Sequence, residues 1–131
     1  MRQLIENVLA LVGVLDPDGT LLEANRAALE LGGLDIADVR GRRFWDCPWW
    51  RYDAELQRWL EDCVGRVARG AVVRADVTVA TRHDGRIALD FMLAPLRDIH
   101  GDITQIVASA VDITDRKAGV DELRRSETRF R

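Results

Sequence analysis

The sequence predicts an α+β domain in which one antiparallel sheet carries helices on a single face. Three observations predict it. AVVRADVTVATR, IALDFMLAPLRD and ITQIVASAVDIT each alternate apolar and polar residues, and short turns join them. ALVGVL and TLLEAN flank the turn DPDG near the start. Between the two groups lies a helical stretch with a continuous apolar stripe. Strands at period two, joined by short turns, form antiparallel meanders, and a sheet with one apolar face needs helices to cover it.

Each element has a local cause. Met1 to Asn7 (MRQLIEN) reads as a short helix or lead-in. In DPDG, Pro17 presets one turn residue and Gly19 takes the positive-φ position, so the flanking strands fold into a hairpin. Asn25 is suited to cap a helix over RAALEL, because its side-chain oxygen can accept an orphan amide, and Gly32-Gly33 ends that helix. LDIADVRGRRFWDCPWWRYD is irregular, with one short amphipathic turn. Asp53 then caps a helix whose apolar residues Leu56, Trp59, Leu60, Cys63, Val64, Val67 and Ala68 step by three and four, and Gly70 stops it. In the next strand Val73, Ala75, Val77 and Val79 share a face. A turn through Asp84-Gly85 leads to a strand in which Ile87, Leu89, Phe91 and Leu93 share one. IHGD, from Ile99 to Asp102, makes the last turn.

Composition narrows the function. With 131 residues, 47% hydrophobic and 31% charged, the chain is one well-cored, well-solvated domain. A formal net charge of −3 with mixed signs argues against a nucleic-acid binder or an anionic-membrane binder, both of which need a basic excess. The longest apolar run, Val8 to Leu15, falls far short of the about 20 residues that span a bilayer and lacks a signal-peptide flank. The reading is a cytoplasmic segment without membrane contact. Cys47 and Cys63 fit reduced thiols, with neither metal spacing nor a disulfide framework.

No catalytic set emerges. His83 and His100 both sit in glycine turns, and neither Ser109 nor Ser126 has a nucleophile context. The chain carries no glycine-rich nucleotide loop, and Gly32-Gly33 is a helix stop. We therefore expect no enzyme activity and no metal site.

The ordered set of segments resembles the PAS domain, the sensor module of bacterial histidine kinases and related signalling proteins. PDGTLLEAN is similar to its first hairpin and helix cap. VRGRRFWD sits at its "GkpF"-like segment, and RHDGRIALDFMLAPLRDIHGDITQIVASAVDITDRK resembles its closing meander. DITDRK, from Asp112 to Lys117, is the most specific piece, and SETRFR resembles the lead-in to a following domain. The resemblance implies a five-stranded sheet in the order 2-1-5-4-3, with helices over one face enclosing a pocket. It implies a sensor domain over 1–115 and a C-terminal linker helix over 116–131 leading to an output domain in the same chain.

On that resemblance, two site expectations follow. Trp45, Trp49, Trp50 and Trp59, with Cys63 and Phe91, line a ligand pocket or fill it themselves; an indole has a large apolar face and one N–H that needs a partner. Arg42, Arg43 and Arg51 flank the aromatics and could meet a carboxylate, but surface arginines of this kind are usually solvated. The second expectation is a signal-coupling joint at Asp112, Thr114, Asp115 and Arg116, with Thr114 and Asp115 able to cap the linker helix. Ile113, Val120, Leu123 and Phe130 step by seven, three and seven, as in the seam of a parallel coiled coil, which points to a homodimer. The family's haem-binding members place a histidine on a helix, and its flavin-bonding members carry an N-C-R-F-L-Q-like stretch. Here the histidines lie in turns and Cys47 sits in RRFWDCPWW, so haem and covalent flavin are not expected and the cofactor is open. The expected function is a sensor that takes a small molecule, a redox state or a neighbouring domain's state and relays it through the DIT junction. The parent is read as a histidine kinase, with a cyclic-dinucleotide enzyme as the other candidate. The alternative is a structural homodimerisation module without ligand.

Overall fold

The computed structural model of the chain describes residues 10–113. They form a five-stranded antiparallel sheet in the order β2-β1-β5-β4-β3. The strands are β1 (Ala10–Leu15), β2 (Leu21–Ala24), β3 (Val73–Ala80), β4 (Arg86–Arg97) and β5 (Ile103–Asp112). Between β2 and β3 run α1 (Arg26–Gly32), α2 (Ile36–Val39), a single 3-10 turn at Phe44–Asp46, and α3 (Ala54–Ala68). The expected sheet order is thus the observed one. The lead-in Met1–Asn7 and the linker over 116–131 lie outside the described residues.

The alternation read from the strands is the alternation of burial. Leu89, Phe91 and Leu93 on β4 face inward, as do Val77 and Val79 on β3 and Ile106, Ala108 and Ala110 on β5. Leu60, Cys63, Val64 and Val67 from the α3 stripe close over them. A fully buried aliphatic side chain of this kind contributes roughly 1.5–3 kcal/mol. Pro95, which has no amide to give a ladder, lies on β4 beyond Leu93, where β3 pairing has ended, and opposes Ile106 of β5 alone.

Two turns are built alike. Gly19 N donates to Asp16 O at 2.8 Å and Gly101 N to Asp98 O at 3.0 Å. Asp16 N reaches Thr20 O at 2.8 Å, and Asp98 N reaches Asp102 O at 2.9 Å. Each turn closes on a glycine in the left-handed region, Gly19 at φ 93° and Gly101 at φ 88°. The β3–β4 turn departs from expectation. Its left-handed residues are His83 (φ 62°) and Asp84 (φ 60°), whereas Gly85 is extended at φ −82°. Gly85 is there for space: a Cβ on it would stand 2.4 Å from Thr81 Oγ1.

One excursion of chain bonds to both sheet edges, at Leu21 of β2 and at Thr78 and Ala80 of β3. At the β2 edge, Leu21 N donates to Arg42 O (2.8 Å) and Gly41 N to Leu21 O (2.9 Å). At the β3 edge, Ala80 N donates to Trp49 O (2.8 Å) and Tyr52 Oη donates to Thr78 O. Covering exposed edge groups in this way removes a template for pairing with other chains. The segment from Gly41 to Tyr52 is therefore a strap laid across the inner face from edge to edge, and this carries its aromatics into the core.

Candidate functional site

The strap delivers Phe44, Trp49 and Trp50 to the inner face of the sheet, where Phe91 of β4 meets them. Phe44 and Trp50 pack edge to face with centroids 5.3 Å apart, as do Trp50 and Phe91 at 5.3 Å. Phe44 stacks near Phe91 at 6.3 Å. Such pairs each add about 0.5–1.5 kcal/mol beyond the area they bury, so the cluster is a rigid wall.

Opposite this wall the inner face is made of small residues. Gly13 of β1 is in register with Ala108 of β5, and Leu11 with Ala110. The mismatch between bulky strap and small floor leaves a cavity, bounded by Ala24 of β2 and by Ala28 and Leu31 of α1. The cavity volume is about 40 Å³. One water needs about 10–15 Å³, so the space exceeds a single water several-fold. No charged side chain lines it.

The two buried indoles differ in a decisive way. Trp49 Nε1 donates to Ala28 O of α1 at 3.0 Å, fastening the strap to the helix. Trp50 is only 2% exposed, lines the same cavity, and its Nε1 has no hydrogen-bond partner among the described residues. A buried donor left unmatched costs about 1–3 kcal/mol.

The other expected pocket residues are placed elsewhere. Trp45 is half-buried against the first hairpin: a Cβ on Gly19 would stand 2.4 Å from its ring. Trp45 O accepts from Gln57 Nε2 at 2.7 Å. Trp59 is half-buried on α3 with its ring 6.4 Å from Phe91, and Cys63 is fully buried in the core, where Arg66 Nη2 donates to its Sγ at 3.3 Å. None of these three lines the cavity. Of the expected set, Trp49, Trp50 and Phe91 do. Gly13, Ala108 and Ala110 were not singled out from the sequence, although three successive inward positions of β5, Ile106, Ala108 and Ala110, shrink after the first. A run of small side chains on an inward strand face opposite an aromatic-rich segment is the signal that could have found them.

Burial raises the thiol pKa of both cysteines, to about 12 at Cys47. Burial thus favours the protonated thiol at both positions. Arg42, Arg43 and Arg51 are all exposed, and Arg43 Nη1 donates to Thr20 Oγ1 at 2.7 Å. His83 and His100 are exposed turn residues. Among the described residues no group of histidine, cysteine, aspartate and glutamate side chains is placed to hold a metal, and no helix is long and apolar enough to cross a membrane.

At the far end of β5, Asp112 is in register with Leu89 and lines a separate surface groove with Arg26, Glu30, Arg82 and His83. Ile113 is fully buried and its amide donates to Ala88 O at 3.1 Å, so it belongs to the packed interior of this domain. Thr114, Asp115, Arg116, Val120, Leu123 and Phe130 lie outside the described residues.

The comparisons agree with this architecture. A region of the sensor histidine kinase TmoS of Ectopseudomonas mendocina is 35% identical over 118 residues, which covers 88% of this chain and 12% of that protein. The hybrid signal transduction histidine kinase D of Dictyostelium discoideum is 29% identical over 132 residues, covering 99% of this chain and 8% of its own length. The chain thus spans a small part of each of these relatives. Among solved structures, the PAS domain of Bordetella pertussis BvgS superposes with a TM-score of 0.69 at 24% identity, covering 98% of this chain and 94% of that one. Residues 5–118 match the PAS-fold family (PAS_4). With the sheet order, the roofing helices and a family match over nearly its whole length in agreement, the chain belongs to the PAS-fold family.

Proposed function

We propose that this domain is the sensory, non-catalytic unit of a larger cytoplasmic histidine kinase, and that occupancy of the aromatic cavity is the state it senses. One observation carries the reading. Central strand β5 floors the cavity with Ala108 and Ala110 and then runs without a break to Asp112 and the buried Ile113. Whatever shifts the cavity floor therefore shifts the strand that leads the chain out of the domain. Residues 1–115 would form the sensor and 116–131 the output linker, with Ile113 anchoring the joint and Val120, Leu123 and Phe130 carrying the seam of a homodimer. Asp112, Thr114, Asp115 and Arg116 would set the angle at which the linker leaves. A bias of 1.4 kcal/mol between two linker arrangements changes their ratio about tenfold, so a small repacking suffices.

The test is Asp112→Ala in the full-length protein. The expected result is an unchanged circular dichroism spectrum and melting temperature of the domain together with altered autophosphorylation. Unchanged autophosphorylation removes the relay. A second reading, a ligand-free homodimerisation module, is favoured by how much of the interior the strap aromatics themselves occupy. It predicts that no small molecule changes the domain's stability or the parent's output.

A further inference from the structure

The reading of the cavity as the sensing site leaves open what it takes. We infer that the cavity selects a small neutral molecule, apolar over most of its surface, that carries one hydrogen-bond acceptor for Trp50 Nε1. This rests on the cavity being the sensing site and adds the chemical class of its occupant.

Three features of the site lead there. First, apart from Ser109 the lining side chains are hydrocarbon or aromatic, and none is charged, so an ion would lose its hydration without a counter-charge. Neutral occupants alone are compatible. Second, the open space exceeds one water several-fold but lies far below the about 300–1,000 Å³ of sites for drug-sized ligands. The occupant has a few heavy atoms, or it enters by displacing a wall. Third, Trp50 lines the cavity and its buried N–H has no partner among the described residues, while its neighbour Trp49 donates its own N–H to Ala28 O. A wholly apolar occupant would leave the Trp50 donor unmatched; an occupant with a carbonyl, ether or similar oxygen would match it. Trp50 is thus the specificity residue, and Trp49 positions the strap that carries it.

The strap's anchoring makes this recognition consequential. Trp49 O accepts from Ala80 N and Tyr52 Oη donates to Thr78 O, so the residues on either side of Trp50 are tied to β3. An occupant held by Trp50 bridges strap and sheet.

The experiment uses acetone and 2-methylpropene, which share one heavy-atom shape and differ in the acceptor. Both are titrated into the intact chain while the indole N–H resonances of the four tryptophans are followed by NMR. The expected result is a downfield shift of the Trp50 Nε1–H with acetone and not with 2-methylpropene, while the Trp49 resonance, already bonded, stays nearly fixed. Trp50→Phe is expected to weaken acetone by about tenfold relative to its effect on 2-methylpropene. The resonance test needs no variant, so it stands even if Trp50→Phe fails to fold. Binding of both probes with equal response at Trp50, or an equal loss of both in Trp50→Phe, overturns the acceptor selectivity and leaves the sensing cavity intact. Failure of both probes to bind the intact chain overturns the cavity as a sensing site together with the inference, and binding of 2-methylpropene without acetone overturns the acceptor selectivity alone.

Discussion

Gly19 carries two demands at a single position. Its φ of 93° favours glycine, and its missing Cβ makes room for the Trp45 ring. Gly19→Ala pays the left-handed cost of about 1–2 kcal/mol and must also displace an indole, so we expect a loss of about 2–4 kcal/mol in urea denaturation. Gly101→Ala meets the backbone cost alone, because nothing lies within 4 Å of the Cβ it would add, and serves as the control. Cys47 gives a second residue-level prediction. Its folded pKa is raised from 9.0 to about 12, chiefly by desolvation. The folded state therefore holds the thiol proton after the unfolded state has released it. The resulting contribution to stability is present in full below pH 9 and is lost as pH rises through 12, by up to about 1.4 kcal/mol per pH unit. Cys47→Ser is expected to flatten that part of the stability–pH curve, which alkaline denaturation with urea can measure. DPDG as a turn and Asn25 as a cap were legible because both are local. Asn25 Oδ1 does accept from Ala28 N at 3.1 Å, but it also accepts from Val12 N at 3.1 Å, and Asn25 Nδ2 donates to Ala10 O at 2.9 Å. Those bonds to β1 span more than ten residues of sequence, and nothing in a helix-cap pattern signals them.

Among the elements, the β3–β4 turn is where local preference and observed backbone part. His83 and Asp84 occupy the two positive-φ positions of a mirror-image turn, which the twist of paired strands favours and which Asn-Gly fits best. The glycine in the sequence points to a bend one residue later, but Gly85 is extended and is set by the lack of space beside Thr81. Replacing His83→Asn together with Asp84→Gly relieves the backbone without touching the core. We expect a gain of about 1 kcal/mol by thermal or urea denaturation. The strap is the opposite case. Its course is set by partners distant in sequence: Arg42 on Leu21, Trp49 on Ala28 and Ala80, Tyr52 on Thr78. Irregular segments have no periodicity to read, so the sequence marked the tryptophans as important and could not say which of them reach the cavity.

In the whole molecule, the cavity is a mismatch between an aromatic strap and a floor of small residues. Gly13→Ala tests it directly. The added Cβ would lie 3.5 Å from Glu23 O and Leu21 Cδ1, ordinary contacts, and a glycine inside a strand costs about 0.5–1 kcal/mol relative to alanine. The variant should be more stable by about that amount in denaturation, and should bind acetone more weakly because the cavity floor has risen. A variant both more stable and unimpaired in binding would show that Gly13 does not floor the site.

The amino-acid sequence by itself determined the strands, their inward faces, the α3 stripe and two of the turns, because each is written in a repeat or a turn motif that acts within a few residues. Tertiary structure alone decided which tryptophans face the cavity, which indole N–H is left unmatched, and that Gly13, Ala108 and Ala110 meet opposite them. Those outcomes depend on the register of β1 on β5 and on where the strap lands, and both are fixed by packing between residues far apart in the chain.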